Sequence, residues 1–479
     1  MKILIINPPR VNGFTVVREE RYEHKDVGAL YPPLSLLYTA AMLEKHHYKL
    51  DFLDANGFNL SLQEVKNKID EIKPEILITR CGFDTQNEDV EISRYAKEKY
   101  KTITIIRNKI IGDTDWFKKD FLIKHSYIDI FLNYEPDSMI LSVIQHIEKQ
   151  GIQNLSTLKG ISYIESDEFK TTEPAELIMN LDELPFPAYH LLPNLKPYHT
   201  GVLDSPFATV ATSRGCPFSC TFCAYRNSGY RVRSPENVVE ELKYLKKIHG
   251  LKSFLFFDDV IGLRKGRFEK ISELMIKEKL NLKWVACTRA NLVNEQQLRL
   301  MKKAGCEEIA IGIESGDPNV LRDTTKGVTL DDIRNAAKLF KKVGILFYGL
   351  AIIGLPGETK QSINNTIKFI KEIKPFYTQF CFSTPFPNTA IYNYYKENNL
   401  ILTEDWRQYS PLAPVPVIRT KALSKDELIE MRNYVYRKII LDPVYLFSKI
   451  RLFDWKWNIQ GFFKIMQRIK AILFKKFIR

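Results

Sequence analysis

Twice along this chain, short runs of aliphatic and β-branched residues alternate with stretches of helical period. That rhythm restricts the possible folds more than any other feature. In the first 150 residues the runs are Ile3–Ile6, Leu50–Leu53, Ile76–Thr79, Ile103–Ile106 and Ile128–Leu132. Between them lie helix-period stretches such as Leu34–Glu44, Leu62–Ile72 and Asp89–Lys99. Five strands alternating with helices predict a doubly wound parallel sheet, whose ligands sit at the C-terminal strand ends. Those ends carry Asn7-Pro8-Pro9, Asp54, Arg80-Cys81-Gly82 and Asn133-Tyr134-Glu135.

The rhythm breaks over 151–205. A hairpin is expected around Ile161–Ile164, followed by LDELPFPAYHLLP, where prolines interrupt regular structure. From 206 it resumes, with strands expected at Ala208–Thr212, Ser253–Phe257, Trp284–Cys287, Glu308–Ile313, Phe347–Ile353 and Thr378–Phe382. Helical stretches fill the gaps, and six strand–helix repeats predict an open or partial β/α barrel with its chemistry at the C-terminal strand ends. The expected organisation is an α/β chain with a first domain over 1–150, a connector over 151–205, a partial barrel over 206–400 and a helical C-terminal extension over 401–479.

The 479 residues are 45% hydrophobic and 27% charged, the balance of a globular protein with sizeable cores. The start, MKILIINPP, is expected to be a first strand and not a signal peptide. No stretch reaches the roughly 18 uninterrupted apolar residues of a membrane span. A cytoplasmic protein is expected. The net charge of +13 admits nucleic acid, an anionic substrate or an anionic membrane. Much of the excess lies at the C-terminus, where Lys449 to Arg479 carry nine basic residues against Asp454 alone. Phe462, Ile465, Met466, Ile469, Ile472 and Leu473 there share one helical face. Such a tail suits an anionic membrane surface or docking on the barrel, whereas no RNA-binding module supports nucleic acid.

Seven cysteines, an odd number in a large chain, argue against a disulfide framework. Three of them, Cys216, Cys220 and Cys223, fall within eight residues, just after the first strand of the second alternating region. Three thiolates in one loop can hold three irons of a 4Fe–4S cluster and leave the fourth open to a further ligand. A zinc site lacking its fourth ligand is the alternative, but no Cys or His stands close by to complete it. Cys287 and Cys381 on strands, Cys306 at a helix end and Cys81 at a strand end read as packing or cavity residues.

The segment Cys216-Pro-Phe-Ser-Cys220-Thr-Phe-Cys223 resembles the signature of the radical S-adenosylmethionine superfamily. The surrounding TSRGCPFSCTFCAY, FFDD, TRANLV, AGCEEIAIGIESGD, KGVT and IIGLPGET are similar to the subgroup that joins an N-terminal cobalamin-binding domain to the radical barrel. That subgroup includes the anaerobic magnesium-protoporphyrin ester cyclase and carbon methyltransferases. The resemblance spans about residues 1–400 and is densest over 208–360. It implies a 4Fe–4S cluster on Cys216, Cys220 and Cys223, with the amino and carboxylate groups of S-adenosylmethionine on the open iron. One-electron cleavage would then give a radical that abstracts hydrogen from an unactivated carbon. An electron donor such as flavodoxin or ferredoxin is implied, as is a small-molecule substrate, lipid-like in several relatives.

By position, the resemblance places Phe222 at the adenine, and Asp258 or its neighbour Asp259 at the methionine ammonium. Arg289 falls at the carboxylate, Glu314 at a ribose hydroxyl or the ammonium, and Gly354 where backbone approaches the adenine. All but Phe222 have a plainer alternative: a helix cap for the aspartates, an ion pair for Arg289, a salt bridge for Glu314 and a tight turn for Gly354. Leu350 stands where relatives carry a first glycine. In the first domain Asn7, Pro8 and Asp54 resemble cobalamin-binding positions. No Asp-x-His-x-x-Gly motif supplies a lower cobalt ligand. Arg107-Asn108-Lys109 and Asn133-Tyr134-Glu135 replace the usual glycine-rich stretches. The expected activity is cobalamin-dependent methylation of an unactivated carbon on a hydrophobic substrate. The alternatives are oxidative cyclisation by the same radical, and an iron–sulfur protein without turnover.

Overall fold

A computed structural model describes residues 1–442 apart from 20–22, 26, 27, 134, 201, 202, 204 and 441. The basic tail over 449–479 lies outside the described residues. Two parallel sheets dominate the structure.

The first contains β1 (Ile3–Asn7), β2 (Leu50–Asp54), β3 (Ile76–Arg80), β4 (Ile103–Arg107), β5 (Ile130–Leu132), β6 (Ile161–Glu165) and β7 (Glu168–Thr171). Their order is β2-β1-β3-β4-β5-β6-β7, and the first five are parallel. The chain reverses direction across the sheet between β1 and β3, which opens a crevice at the C-terminal strand ends. Strand periodicity builds both faces. Ile3 and Ile5 pack with Leu36, Ala40, Val143 and Ile144, whereas Leu4 and Ile6 pack with Val65, Ile69, Ile92 and Ala96. Helices therefore cover both faces, as the alternation predicts.

The hairpin of β6 and β7 is no free-standing connector. It pairs antiparallel with β5 and extends the first sheet. The proline-rich stretch after it is anchored as well: Tyr198 Oη donates to Asp54 Oδ2 at 2.6 Å and Tyr189 Oη to the Thr209 carbonyl at 2.6 Å. Buried tyrosine hydroxyls need such acceptors, and these two tie the segment to both sheets.

The second sheet runs in chain order through β8 (Phe207–Val210), β9 (Ser253–Phe256), β10 (Lys283–Thr288), β11 (Cys306–Glu314), β12 (Leu346–Ile353) and β13 (Tyr377–Phe382), all parallel. Its ends do not meet, so the barrel is open. Outward Phe256 and fully buried Trp284 pack with Phe268 of the helix Arg267–Lys277, and Phe254 packs against Phe256 and Trp284. Along β12 burial alternates, with Leu346, Tyr348, Leu350 and Ile352 half-buried. The concave inner face is thus only partly filled. The edge of β13 is covered: Phe380 N–H donates to Tyr436 Oη at 3.1 Å, and Phe382 N–H to the Pro411 carbonyl at 3.1 Å.

Candidate active site

The cysteine loop leaves β8 through Ser213–Arg214, which pairs antiparallel with Arg231–Val232 and closes residues 215–230 into one excursion. Gly215 opens it at φ +81°, and a Cβ there would lie 2.2 Å from the Gly229 carbonyl oxygen. Only glycine fits both the conformation and the approach. Cys216 N–H donates to Ser228 Oγ at 2.9 Å, and Ser228 Oγ donates to the Tyr225 carbonyl at 2.8 Å. Thr221 N–H donates to the Thr324 carbonyl at 3.0 Å, and Thr325 Oγ1 to the Ser219 carbonyl at 2.8 Å. The loop is therefore held by its own turn and by the segment that follows β11.

Cys220 is buried, and Cys216 and Cys223 are half-buried. Among the described residues no three His, Cys, Asp or Glu side chains are grouped to hold a metal ion. Tyr225 N–H points at Cys223 Sγ (3.4 Å) and Arg289 Nη1 at Cys220 Sγ (3.8 Å). Donors of this kind suit sulfurs that carry negative charge.

The strand ends supply the remaining candidates. Arg289, buried at the end of β10, lies 3.5 Å above the Phe218 ring and donates from Nη2 to the Lys326 carbonyl. Its Nε has no hydrogen-bond partner among the described residues. A buried guanidinium with a donor to spare fits a carboxylate ligand. Asp258, fully buried after β9, accepts from Thr212 N–H (3.0 Å), Thr212 Oγ1 (3.1 Å) and Ser213 Oγ (2.5 Å) through Oδ1. It thereby anchors the start of the cysteine loop. Oδ2 has no partner among the described residues, and burial raises the carboxyl to about 6 against the hydrogen bonds from Ser213 and the charge of Arg267.

Glu314 sits past a bulge in β11 at φ +57° and meets Lys326 Nζ at 2.5 Å, both side chains being buried. The polar partner that this carboxylate requires is thus internal. Gly354 takes φ +91°; its N–H donates to Glu358 Oε2 at 2.5 Å, and its carbonyl accepts from Tyr395 Oη. That is a tight turn, closed by a glutamic acid that burial raises to about 8. Phe222 is half-buried against the core. Glu308 was missed in the sequence. It alternates with outward Ile309 and Ile311 on β11, and burial raises it to about 7. Its neighbours across the inner face include Tyr348, whose hydroxyl donates to Gln379.

The C-terminal ends of the two sheets meet beside the cysteine loop. Glu135 and Asp137 pair with Arg214 (2.8 and 2.6 Å), and Glu135 also takes Arg231. Lys109 lies 5.6 Å from the Tyr225 ring, and Asn388 Nδ2 bridges Asp113 (3.1 Å) and the Ala224 carbonyl (2.9 Å). Buried Thr114 Oγ1, Asp137 Oδ1 and Asn388 Oδ1 along this seam have no partner among the described residues. Orphaned buried acceptors fit a large polar ligand with amide donors, as cobalamin is. Asn7 and Asp54 sit deeper, joined to each other at 2.7 Å and to Arg18 and Tyr198. The Pro8 carbonyl accepts from Arg18 at 3.0 Å. Asn108 caps a short helix through Ile111 N–H at 3.0 Å, and Lys109 pairs with Asp113 at 2.8 Å.

Residues 210–370 match the family model of the Radical SAM superfamily. An uncharacterized methyltransferase of Pyrococcus horikoshii, PH0819, is 32% identical over 94% of this chain and 95% of its own length. The chain belongs to the radical S-adenosylmethionine superfamily. It is a radical S-adenosylmethionine enzyme, and that membership implies a 4Fe–4S cluster and S-adenosylmethionine. The anaerobic magnesium-protoporphyrin IX monomethyl ester cyclase of Cereibacter sphaeroides is 25% identical over 91% of this chain and 70% of its own. The fold is that of the cobalamin-dependent S-adenosylmethionine radical enzyme OxsB, solved with aqua-cobalamin and S-adenosylmethionine bound. Its TM-score is 0.73 at 16% identity, over 98% of this chain and 70% of that one. Among the described residues no helix is long and apolar enough to cross a membrane.

Proposed function

We propose that this enzyme methylates an unactivated carbon of a hydrophobic small molecule. Cys216, Cys220 and Cys223 would hold the cluster, the open barrel S-adenosylmethionine, and the seam cobalamin. The observation that carries the reading is the seam itself, where both sheets bring their C-terminal ends and orphaned polar atoms to one loop. When bound, these groups supply one-electron cleavage of S-adenosylmethionine and a transferable methyl group.

The chain's own residues do the placing. Arg289 has a buried donor free for the methionine carboxylate, and Asp258 fixes Thr212 and Ser213 where the loop begins. Half-buried Leu350 and Ile352, with Phe257 at the end of β9, give the barrel an apolar inner wall for substrate. The basic tail would bring such a substrate from an anionic membrane surface, and flavodoxin or ferredoxin would supply electrons.

The test is anaerobic purification with hydroxocobalamin, followed by comparison of small-molecule extracts incubated with reduced enzyme and S-adenosylmethionine. One corrin per chain and a product heavier by one methylene are expected. No retained corrin, with a product lighter by two hydrogens, would replace methylation by oxidative cyclisation.

A further inference from the structure

The two arginines that flank the cysteine loop face each other. Arg214 and Arg231 are a register pair of the short hairpin. Like charges directly opposite on two strands repel, so an anion between them favours this closure of the loop. That anion comes from the other sheet. Glu135, after β5, accepts from Arg214 Nη1 at 2.8 Å and from Arg231 Nη1 at 3.2 Å, and its second oxygen takes Arg231 Nη2. Asp137, two residues on, meets Arg214 at 2.6 Å. The Arg214 guanidinium also lies 4.9 Å from the Tyr38 ring, on the helix that follows β1. Arg231 donates to the Ile178 carbonyl at 2.9 Å. Arg231 and Asp137 are buried at 3% and 4% exposure, whereas Arg214 and Glu135 keep 16% and 23%, so the pairs are only partly screened by solvent and salt.

We propose that Glu135, Asp137, Arg214 and Arg231 form a strut through which the first sheet positions the cysteine loop and sets the reduction potential of its cluster. Glu135 is the positioning residue. The strut rests on the cysteine triad holding the cluster, as argued above. Two arginines and two carboxylates balance in charge. Removing one carboxylate leaves a net positive charge beside the loop and favours the reduced cluster.

The experiment is a redox titration, followed by electron paramagnetic resonance, of the full chain reconstituted anaerobically with iron and sulfide. Wild type is compared with Glu135→Gln, Asp137→Asn, Arg214→Gln and the double variant Glu135→Gln/Arg214→Gln. Glu135→Gln and Asp137→Asn should titrate at more positive potential than wild type, Arg214→Gln at more negative, and the double variant between its parents. By Coulomb's law, two unit charges separated by about 10 Å at an effective dielectric constant of about 20 change such a ratio on the order of tenfold, which sets the size of shift expected. Should Glu135→Gln fail to fold, Asp137→Asn carries the test, since Arg214 then keeps its bond to Glu135. Equal potentials and spectra in wild type and the carboxylate variants, at equal iron content, would overturn the strut. A wild type that takes up no cluster fails the triad and not the strut alone, and iron analysis separates the two.

Discussion

Replacing Gly215 by alanine perturbs the cysteine loop without touching a thiol. The added Cβ would stand 2.2 Å from the Gly229 carbonyl oxygen and 2.9 Å from that of Ser228. Ordinary contact begins near 3.4 Å, so residues 228–229 must retreat by about 1 Å. That displacement stretches the 2.9 Å bond from Cys216 N–H to Ser228 Oγ beyond hydrogen-bond length. An alanine at φ +81° adds about 1–2 kcal/mol, and the lost hydrogen bond about 1 kcal/mol more. A local cost of about 2–3 kcal/mol leaves the two sheets folded but releases Cys216 from its place. A misplacement near 1 Å can lower catalysis on the order of 100-fold. The assay is iron content after anaerobic reconstitution, with release of 5′-deoxyadenosine and thermal melting alongside. The variant should melt within a few degrees of wild type, bind iron poorly and release little 5′-deoxyadenosine. Full iron content with undiminished release would refute the argument from loop geometry.

Four further substitutions, in three tests, probe other parts of the site. Asp258 holds its proton in the folded protein to about pH 6, against about 4 for an ordinary aspartate, so its contribution is fully present below pH 4 and lost as pH rises through 6. Asp258→Asn should remove that segment, about 3 kcal/mol, from the difference between chemical denaturation curves at pH 4 and 7; an unchanged difference would reject a buried ionisable Asp258. Lys326→Met leaves Glu314 buried without its cation and should destabilise by about 3–5 kcal/mol, while adding Glu314→Gln should restore most of it; an additive double variant would deny the pairing. Arg289→Met should weaken S-adenosylmethionine binding, measured by equilibrium dialysis at equal iron loading, at least about tenfold, and equal binding would exclude the carboxylate role.

The strands, and most helices with them, were legible because parallel sheets bury their strands and leave near-continuous apolar runs in the sequence. The cysteine triad was legible because its spacing is local. What stayed hidden depends on strand neighbours far apart in sequence. Asp258 was visible as a strand-end carboxylate. Its bonds to Thr212 and Ser213 follow from β8 lying beside β9, with Val210 opposite Phe256. The Glu314–Lys326 pair needs the bulge that turns β11 at Gly312, which nothing in GIESG announces. Glu135 and Arg214 stand 79 residues apart, and only the meeting of the two sheets joins them. The hairpin of β6 and β7 read as part of a connector because weak alternation does not say which sheet a strand will join.

The most direct measurement is iron and acid-labile sulfide in chains purified and reconstituted anaerobically, compared between wild type and single Cys216→Ala, Cys220→Ala and Cys223→Ala variants, with zinc determined in parallel. Wild type should carry close to four of each per chain and no zinc, its reduced spectrum should change on adding S-adenosylmethionine, and each variant should lose the cluster. A wild type that binds one zinc, or variants that keep the iron and the S-adenosylmethionine response, would contradict the assignment of the three thiolates.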